Sequence, residues 1–548
     1  MTQTEISQLQ VENLDHLGIV AGIIDRIGLV QRVNERVGTS PDELITSGQV
    51  VKAMILNGLG FVSAPMYLFS RFFEGKPTEH LLGEGISPEH LNDDKLLRVL
   101  EKLSDHGLTS LFVEIALQAA EPDGLRLDRL HLDGTSFSVE GRYPHQPQEH
   151  DDQERKPIHI THGYSRDHRP DLKQFLAQMM VSSDGGVPTF FRVSDGNESE
   201  AKVFAELIRG YQRELSLETL FVADAALYNE ENLKRLGKLS YICRVPLTIG
   251  RARELLTEVQ NAEFSESRRE GYRLSEVAAQ YAGIEQRWVV VESERRAERE
   301  LAGLYKRIEK EHNKARKELN ALGRGAFNCE ADAHQAAEGI AKSLRYHRLE
   351  GLTIKAEPYH ARAGRPRKGQ TPEYRYRVQG ELVRDEARIS RRKQKAGRFI
   401  LATNVLDGGV LDGGVLDAGE ILESYLAQQT VERGFRFLKD PMFFTDSVFI
   451  KTPKRVAALA MVMGLCLLVY SLGERELRLK LAVSESSIPD QRGKPTKKPT
   501  LRWVFQLFQA LHLLRTGSGG KLVHGLTGEK EHVLGFFGGE CRRYYLLA

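Results

Sequence analysis

The sequence predicts a mixed α/β protein in which a central sheet follows a helical N-terminal region. Three observations carry this expectation. Residues 1–115 show apolar positions at helical spacing, while from Leu125 onward the pattern changes to alternation and short apolar runs. Between 125 and 245 the element order is three strands, helix, strand, helix, strand. The 548 residues exceed one ordinary core, so two to four domains are expected.

In the N-terminal region, 19–30 is an apolar-rich run. Ser40-Pro41-Asp42-Glu43 has the form of a capping box with proline at the first helical position, and predicts a helix through Leu56. Residues 91–103 (LNDDKLLRVLEKL) are amphipathic, and Gly107 suits the stop. The sheet region opens with 129–139, RLHLDGTSFSV, read as a strand. A loop rich in His, Asp and Arg follows at 158–174. Residues 175–181 and 187–193 read as two strands of a hairpin, 199–214 as a helix and 219–223 as a buried strand ending at Asp224. A helix near 229–237 and a strand near 239–245 complete the set. This order is that of a ribonuclease H-like core.

About 150 residues then interrupt the core, too many for a loop. They predict a strand at 288–291, a long charged helix at 293–322, a helical partner at 331–346, and strands near 352–356, 373–378 and 398–402. The long helix carries Leu301, Leu304, Ile308, Ala315, Leu319 and Leu322 on one seam. A basic tract threads the later pieces: Arg362, Arg365, Arg367, Lys368, Arg375, Arg377, Arg384, Arg388, Arg391, Arg392, Lys393, Lys395 and Arg398, with Tyr374 and Tyr376 interleaved. The chain carries a net charge of only +2, so this local excess is the expected DNA-backbone contact, with Arg391, Arg392, Lys393 and Lys395 its densest part. The tandem VLDGG-VLDGG-VLDAG at 405–419 matches no calcium loop and reads as a duplication in a connector.

Residues 425–439, YLAQQTVERGFRFLK, read as one helix lapsing at Gly434. Tyr425, Glu432 and Lys439 are spaced by seven, and Gln428 joins their face, so one stripe carries a phenol, an amide, a carboxylate and an ammonium. The apolar run 456–472 reads as a buried core helix rather than a membrane span, and 501–514 as a last helix. The four cysteines are widely separated, so neither a disulfide framework nor a zinc site is expected. This cysteine usage leads us to expect a reducing cytoplasm, and the N-terminus, with neither a basic nor an apolar stretch, is not expected to be a signal peptide.

Asp133 on the first core strand and Asp224 after the fourth would stand side by side in such a sheet. With Glu432 they offer hard oxygen ligands of the kind that two-metal phosphoryl chemistry needs.

LDGTSF around Asp133, VADAALY around Asp224 and YLAQQTVERGFRFLK around Glu432 resemble the three acidic motifs of bacterial insertion-sequence DDE transposases. The last is similar to the Y-(2)-R-(3)-E-(6)-K signature of the insertion-sequence-four superfamily. Tyr425, Glu432 and Lys439 match it, and Gln428 stands where that family has Arg. GYSRDHRPDLKQ (163–174) and LNDD (91–94) resemble the sixteen-thirty-four subgroup. The resemblance implies cut-and-paste movement of a DNA element. Asp133, Asp224 and Glu432 would hold two Mg²⁺ ions, with Mn²⁺ able to substitute, and Tyr425, Gln428 and Lys439 would lie beside the phosphates. The partner would be double-stranded DNA, element ends and target, bound by a homodimer assembled on it, with no membrane involved.

The expected organisation is a helical domain at 1–115, for DNA binding or dimerisation, and a core at 116–246 resumed at 404–480. An insertion domain at 247–403 and a C-terminal linker and helix at 481–548 complete it. Two competing readings remain: a metal-dependent nuclease on the same fold without strand transfer, and an inactive DNA-binding relic.

Overall fold

The computed structural model describes residues 10–547 except 62–63, 123, 145–155, 166–168, 215–218, 360–372, 407–409, 412–413, 441–449 and 517–519. Nine strands form one sheet: β1 (Arg129–Val139), β2 (Lys173–Ser182), β3 (Pro188–Ser194), β4 (Leu220–Ala223), β5 (Tyr241–Arg244), β6 (Ser265–Glu266), β7 (Tyr272–Tyr281), β8 (Ile284–Ser293) and β9 (Arg398–Thr403). Their order is β3-β2-β1-β4-β5-β9-β8-β7-β6. The first three are antiparallel, and β1, β4 and β5 are parallel. The five core strands thus take the ribonuclease H-like order that the element sequence implies.

The next four strands come from the segment between the core halves. They extend the same sheet antiparallel to β5 rather than standing apart from it. Beyond them lie the helix Glu294–Arg324, the helix Glu330–Ser343 and a separate hairpin of His347–Tyr359 with Glu373–Arg384. Leu304, Ile308 and Ala315 are buried along the expected seam.

Helices cover both faces. Phe190 of β3 meets Tyr211 of the helix Glu200–Glu214 on one side. On the other, the apolar run lies within a helix spanning Pro453–Val483. Among the described residues it is the one helix long and apolar enough to cross a membrane, and 89% of its most apolar window is buried in the protein. Its Gly464 carries no side chain because the rings of Phe191 and Phe112 occupy that space, 3.0 and 3.1 Å from where a Cβ would stand.

The N-terminal helices share a core with both the helix Pro453–Val483 and the C-terminal segment. Gln10–Asn13 pairs antiparallel with His512–Arg515. The Tyr545 hydroxyl accepts from Ile19 N and donates to Asp15 O. The expected helix 501–514 therefore stops at Leu507, and its remainder becomes a strand. The helix expected from Ser40 begins instead at Ser47. Thr46 and Gln49 form the capping box, and Ile45 and Val50 are the buried pair that staples this start.

His16 sits in this shared core, stacked on Phe505 with centroids 4.3 Å apart and with Nε2 3.0 Å from Leu59 O. Burial drives its pKa down to about 4. The unfolded chain binds this proton below about 6.5, so the contribution of neutral His16 is complete above that pH. It is lost as pH falls towards 4, by about 3 kcal/mol in total. Urea midpoints should therefore show the stability gap between wild type and His16→Phe shifting in favour of the variant from pH 6.5 to 4. A pH-independent gap would contradict this.

Candidate active site

The backbone register places the two aspartates together. Leu132 of β1 lies opposite Ala223 of β4 in a parallel pair, so Asp133 and Asp224 are each the next residue on neighbouring strands. Adjacent strands are about 4.8 Å apart. Both side chains project on one face, and both are half-buried. Each is held by a local bond to the backbone: Asp133 Oδ1 accepts from Gly134 N at 2.8 Å within β1, and Asp224 Oδ1 from Ala226 N at 2.8 Å. Asp224 directly follows β4, at the end where ligands of open α/β sheets bind, and Asp133, in the middle of β1, marks the point where the parallel pairing stops.

Residues 425–439 are two helices rather than one. Ala418–Leu426 ends at Ala427, and Gln429–Leu438 begins after Gln428. The break does not fall at Gly434, which is mid-helix. A Cβ there would stand 2.8 Å from Met179 Cε and 3.1 Å from Leu467 Cδ2. Met179 is the cross-strand partner of Asp133, so this glycine lets the second helix lie directly on the acidic face. At its far end Lys439 Nζ is 5.4 Å from the ring centroid of Phe137, which shares a face of β1 with Asp133.

Gln428 is buried and donates from Nε2 to Leu132 O at 3.3 Å. The structure thus corrects the expectation that it lines a DNA surface: its amide pins the break between the helices to β1. Glu432 lies one turn further on, exposed. Tyr425 belongs to the first helix and packs on Phe399 with centroids 6.1 Å apart. Burial pushes its phenol pKa up, and Asp224 adds to the rise. The hydroxyl therefore stays a proton donor.

The structure brings Asp133 and Asp224 together and lays the Glu432 helix across their face. Among the described residues no three His, Cys, Asp or Glu side chains converge closely enough to hold one metal ion, so Glu432 is not drawn into a set with the aspartates.

The basic tract divides. Arg391, Arg392 and Lys393 are exposed in the last turn of the helix Glu386–Gln394, with Lys393 over Tyr305. Lys395 is half-buried and donates to Arg253 O at 2.9 Å. Arg398 is interior: it pairs with Glu292 at 2.8 Å and donates to Leu256 O and Val259 O, so it does not belong to a DNA surface. Arg377 and Arg388 pair with Glu357 and Asp385. Arg362, Arg365, Arg367 and Lys368 lie outside the described residues, as does part of the VLDGG repeat. Asp417, the last aspartate of that repeat, caps the helix Ala418–Leu426.

One residue of the site went unread in the sequence. Cys243 pairs with Ala223, so Arg244 extends the row of Asp133 and Asp224 onto β5. The available signal was position: Arg244 closes the apolar strand YIC as Asp224 closes LFVA.

A mixed sheet with acidic groups side by side where two adjacent parallel strands stop pairing defines a class of α/β proteins able to bind hard cations or phosphate esters. Within that class the family is shown directly. Residues 126–470 match the family described as the transposase DDE domain, more than half of the chain, and the protein belongs to it. Residues 9–117 match a domain of unknown function, DUF4277. No curated protein matches the chain. Among solved structures the chain is similar to one in a cryo-EM structure of the piggyBac transposase synaptic complex with hairpin DNA. The identity is 10% over 90% of this chain and 80% of that one, with a TM-score of 0.35.

Proposed function

We propose that this chain is a transposase of the insertion-sequence-four superfamily, related to its sixteen-thirty-four subgroup. In this reading it binds the terminal inverted repeats of a mobile element, as a homodimer on DNA, and cuts and transfers the DNA strands. The observation that carries the reading is the pair Asp133 and Asp224, adjacent on parallel strands inside the segment that matches the transposase DDE domain.

The donor set fits Mg²⁺. Both carboxylates are half-buried hard oxygen donors, each oriented by a backbone N–H. Asp133 and Asp224 would hold the ions, with Glu432 supplied by the helix above. When bound, such ions lower the pKa of an attacking water or 3′-hydroxyl and neutralise charge on the phosphate. The chain's own groups bind and orient the DNA. Arg391, Arg392 and Lys393 would grip its backbone as solvent-facing charges. The phenol of Tyr425 would donate a hydrogen bond to a phosphate near Asp224, and Lys439 would place a point charge past the Glu432 helix.

The test uses the purified chain, Mg²⁺ and a labelled duplex carrying the DNA that flanks its gene. Cleavage at the element end followed by joining of the new 3′-hydroxyl to a second duplex is the expected result. Cleavage without joining would replace this reading by the nuclease, and binding without cleavage by the relic.

A further inference from the structure

The row of side chains across the sheet continues past the acidic pair. Arg244 stands beside Asp224 as Asp224 stands beside Asp133, on the same face and about 10 Å from Asp133 across two strand spacings. The cross-strand partner of Arg244 on β9 is Leu401, and Phe399, two residues away, presents its ring on that face as well. The Arg244 guanidinium carbon is 5.7 Å from the Phe399 centroid. A second guanidinium, Arg296 in the first turn of the helix Glu294–Arg324, comes to the same ring at 5.3 Å. Tyr425 also packs on Phe399, and the Arg244 charge acts on its phenol.

Two arginines from different elements thus converge on one aromatic platform. Arg296 is paired with Glu300 at 2.7 Å, and Glu300 also accepts from Gly397 N at 2.9 Å, so its charge is shared. Among the described residues Arg244 forms no ion pair. Asp224 beside Arg244 and Glu300 on Arg296 offset part of this like-charge approach, and the guanidinium fork matches a phosphate that would offset the rest.

We propose that Arg244 and Arg296, with the Tyr425 hydroxyl, form a cradle for one DNA phosphodiester next to the Asp133–Asp224 pair. This rests on the reading of the protein as a DNA-cutting enzyme. The cradle places the strand so that the neighbouring phosphate faces the two aspartates. The aromatic platform holds both guanidinium groups near one place before DNA arrives.

The test is the salt dependence of binding to a random-sequence duplex of about 30 base pairs, in EDTA so that no metal contributes. The slope of log K against log salt falls by about 0.9 for each phosphate that the protein no longer neutralises. Arg244→Gln and Arg296→Gln should each lower affinity, and the double variant should flatten the slope by about 0.9, one shared phosphate. Arg244→Lys combined with Arg296→Lys should restore the slope, because lysine keeps the point charge; a purely structural role would not be rescued in this way. If Arg244→Gln fails to fold, Arg296→Gln, on a half-exposed helical turn, carries the measurement. An unchanged slope in variants of a wild type that does bind DNA overturns the cradle and leaves the proposed function standing. A wild type without salt-dependent binding overturns both.

Discussion

Asp133→Asn and Asp224→Asn should each abolish Mg²⁺-dependent DNA cleavage while DNA binding persists. The expected loss is at least about a thousandfold in rate, roughly 4 kcal/mol at the transition state. Asparagine keeps the shape and retains an oxygen that can accept from Gly134 N or Ala226 N, so the bond that orients each side chain survives. What disappears is one anionic donor. The two positions are neighbours on parallel strands, and removing one of two adjacent carboxylates relieves repulsion. The thermal midpoint should therefore not fall. In the proposed function affinity comes mainly from phosphate interactions elsewhere, so it should stay near wild type. Cleavage within a few-fold of wild type in either variant would remove the acidic pair from the chemistry.

Glu432→Gln should also reduce cleavage to background, whereas Glu423→Gln should leave it within a few-fold of wild type. The two glutamates are nine positions apart, and the structure puts them on different helices. Glu423 is exposed and pairs with Arg269 at 2.8 Å. Removing such a surface pair costs about 0–1 kcal/mol and touches nothing near Asp133. Glu432 follows Gln428 by one turn, and Gln428 is anchored to the residue before Asp133. Its helix is seated on Met179, directly across from Asp133, by the missing side chain of Gly434. An inactive Glu423→Gln with an active Glu432→Gln would mean that the wrong helix carries the third carboxylate.

The core strands were legible because each is a short apolar or alternating run with clear ends. The strand 129–139 has the same bounds in sequence and structure, and the helix near 229–237 is framed by its cap Asn229 and by Gly237. The acidic pair followed from that order. Where two local signals competed, the sequence misled: Ser40 and Thr46 both head a capping box, and only the second has a buried staple, Ile45 with Val50. Pairings between distant residues were out of reach. The strand His512–Arg515 is fixed by Gln10–Asn13 at the other end of the chain. The break at Gln428 depends on a carbonyl in β1. Arg244 joins the site only through sheet register, which no local periodicity encodes. Arg398 looked like part of a basic surface because a run of charges does not say which member is buried among Glu292, Leu256 and Val259.

The most direct test of the acidic pair as a metal-holding centre is localised oxidative cleavage with Fe²⁺ in place of Mg²⁺, on the full chain bound to DNA, with ascorbate and peroxide. Hydroxyl radicals cut the polypeptide only near the bound ion. The expected fragments end close to Asp133 and Asp224, with a third cut near Glu432, and all three are suppressed by excess Mg²⁺ and absent in Asp133→Asn. Cuts that avoid both 133 and 224, or that persist unchanged in Asp133→Asn, would contradict the account.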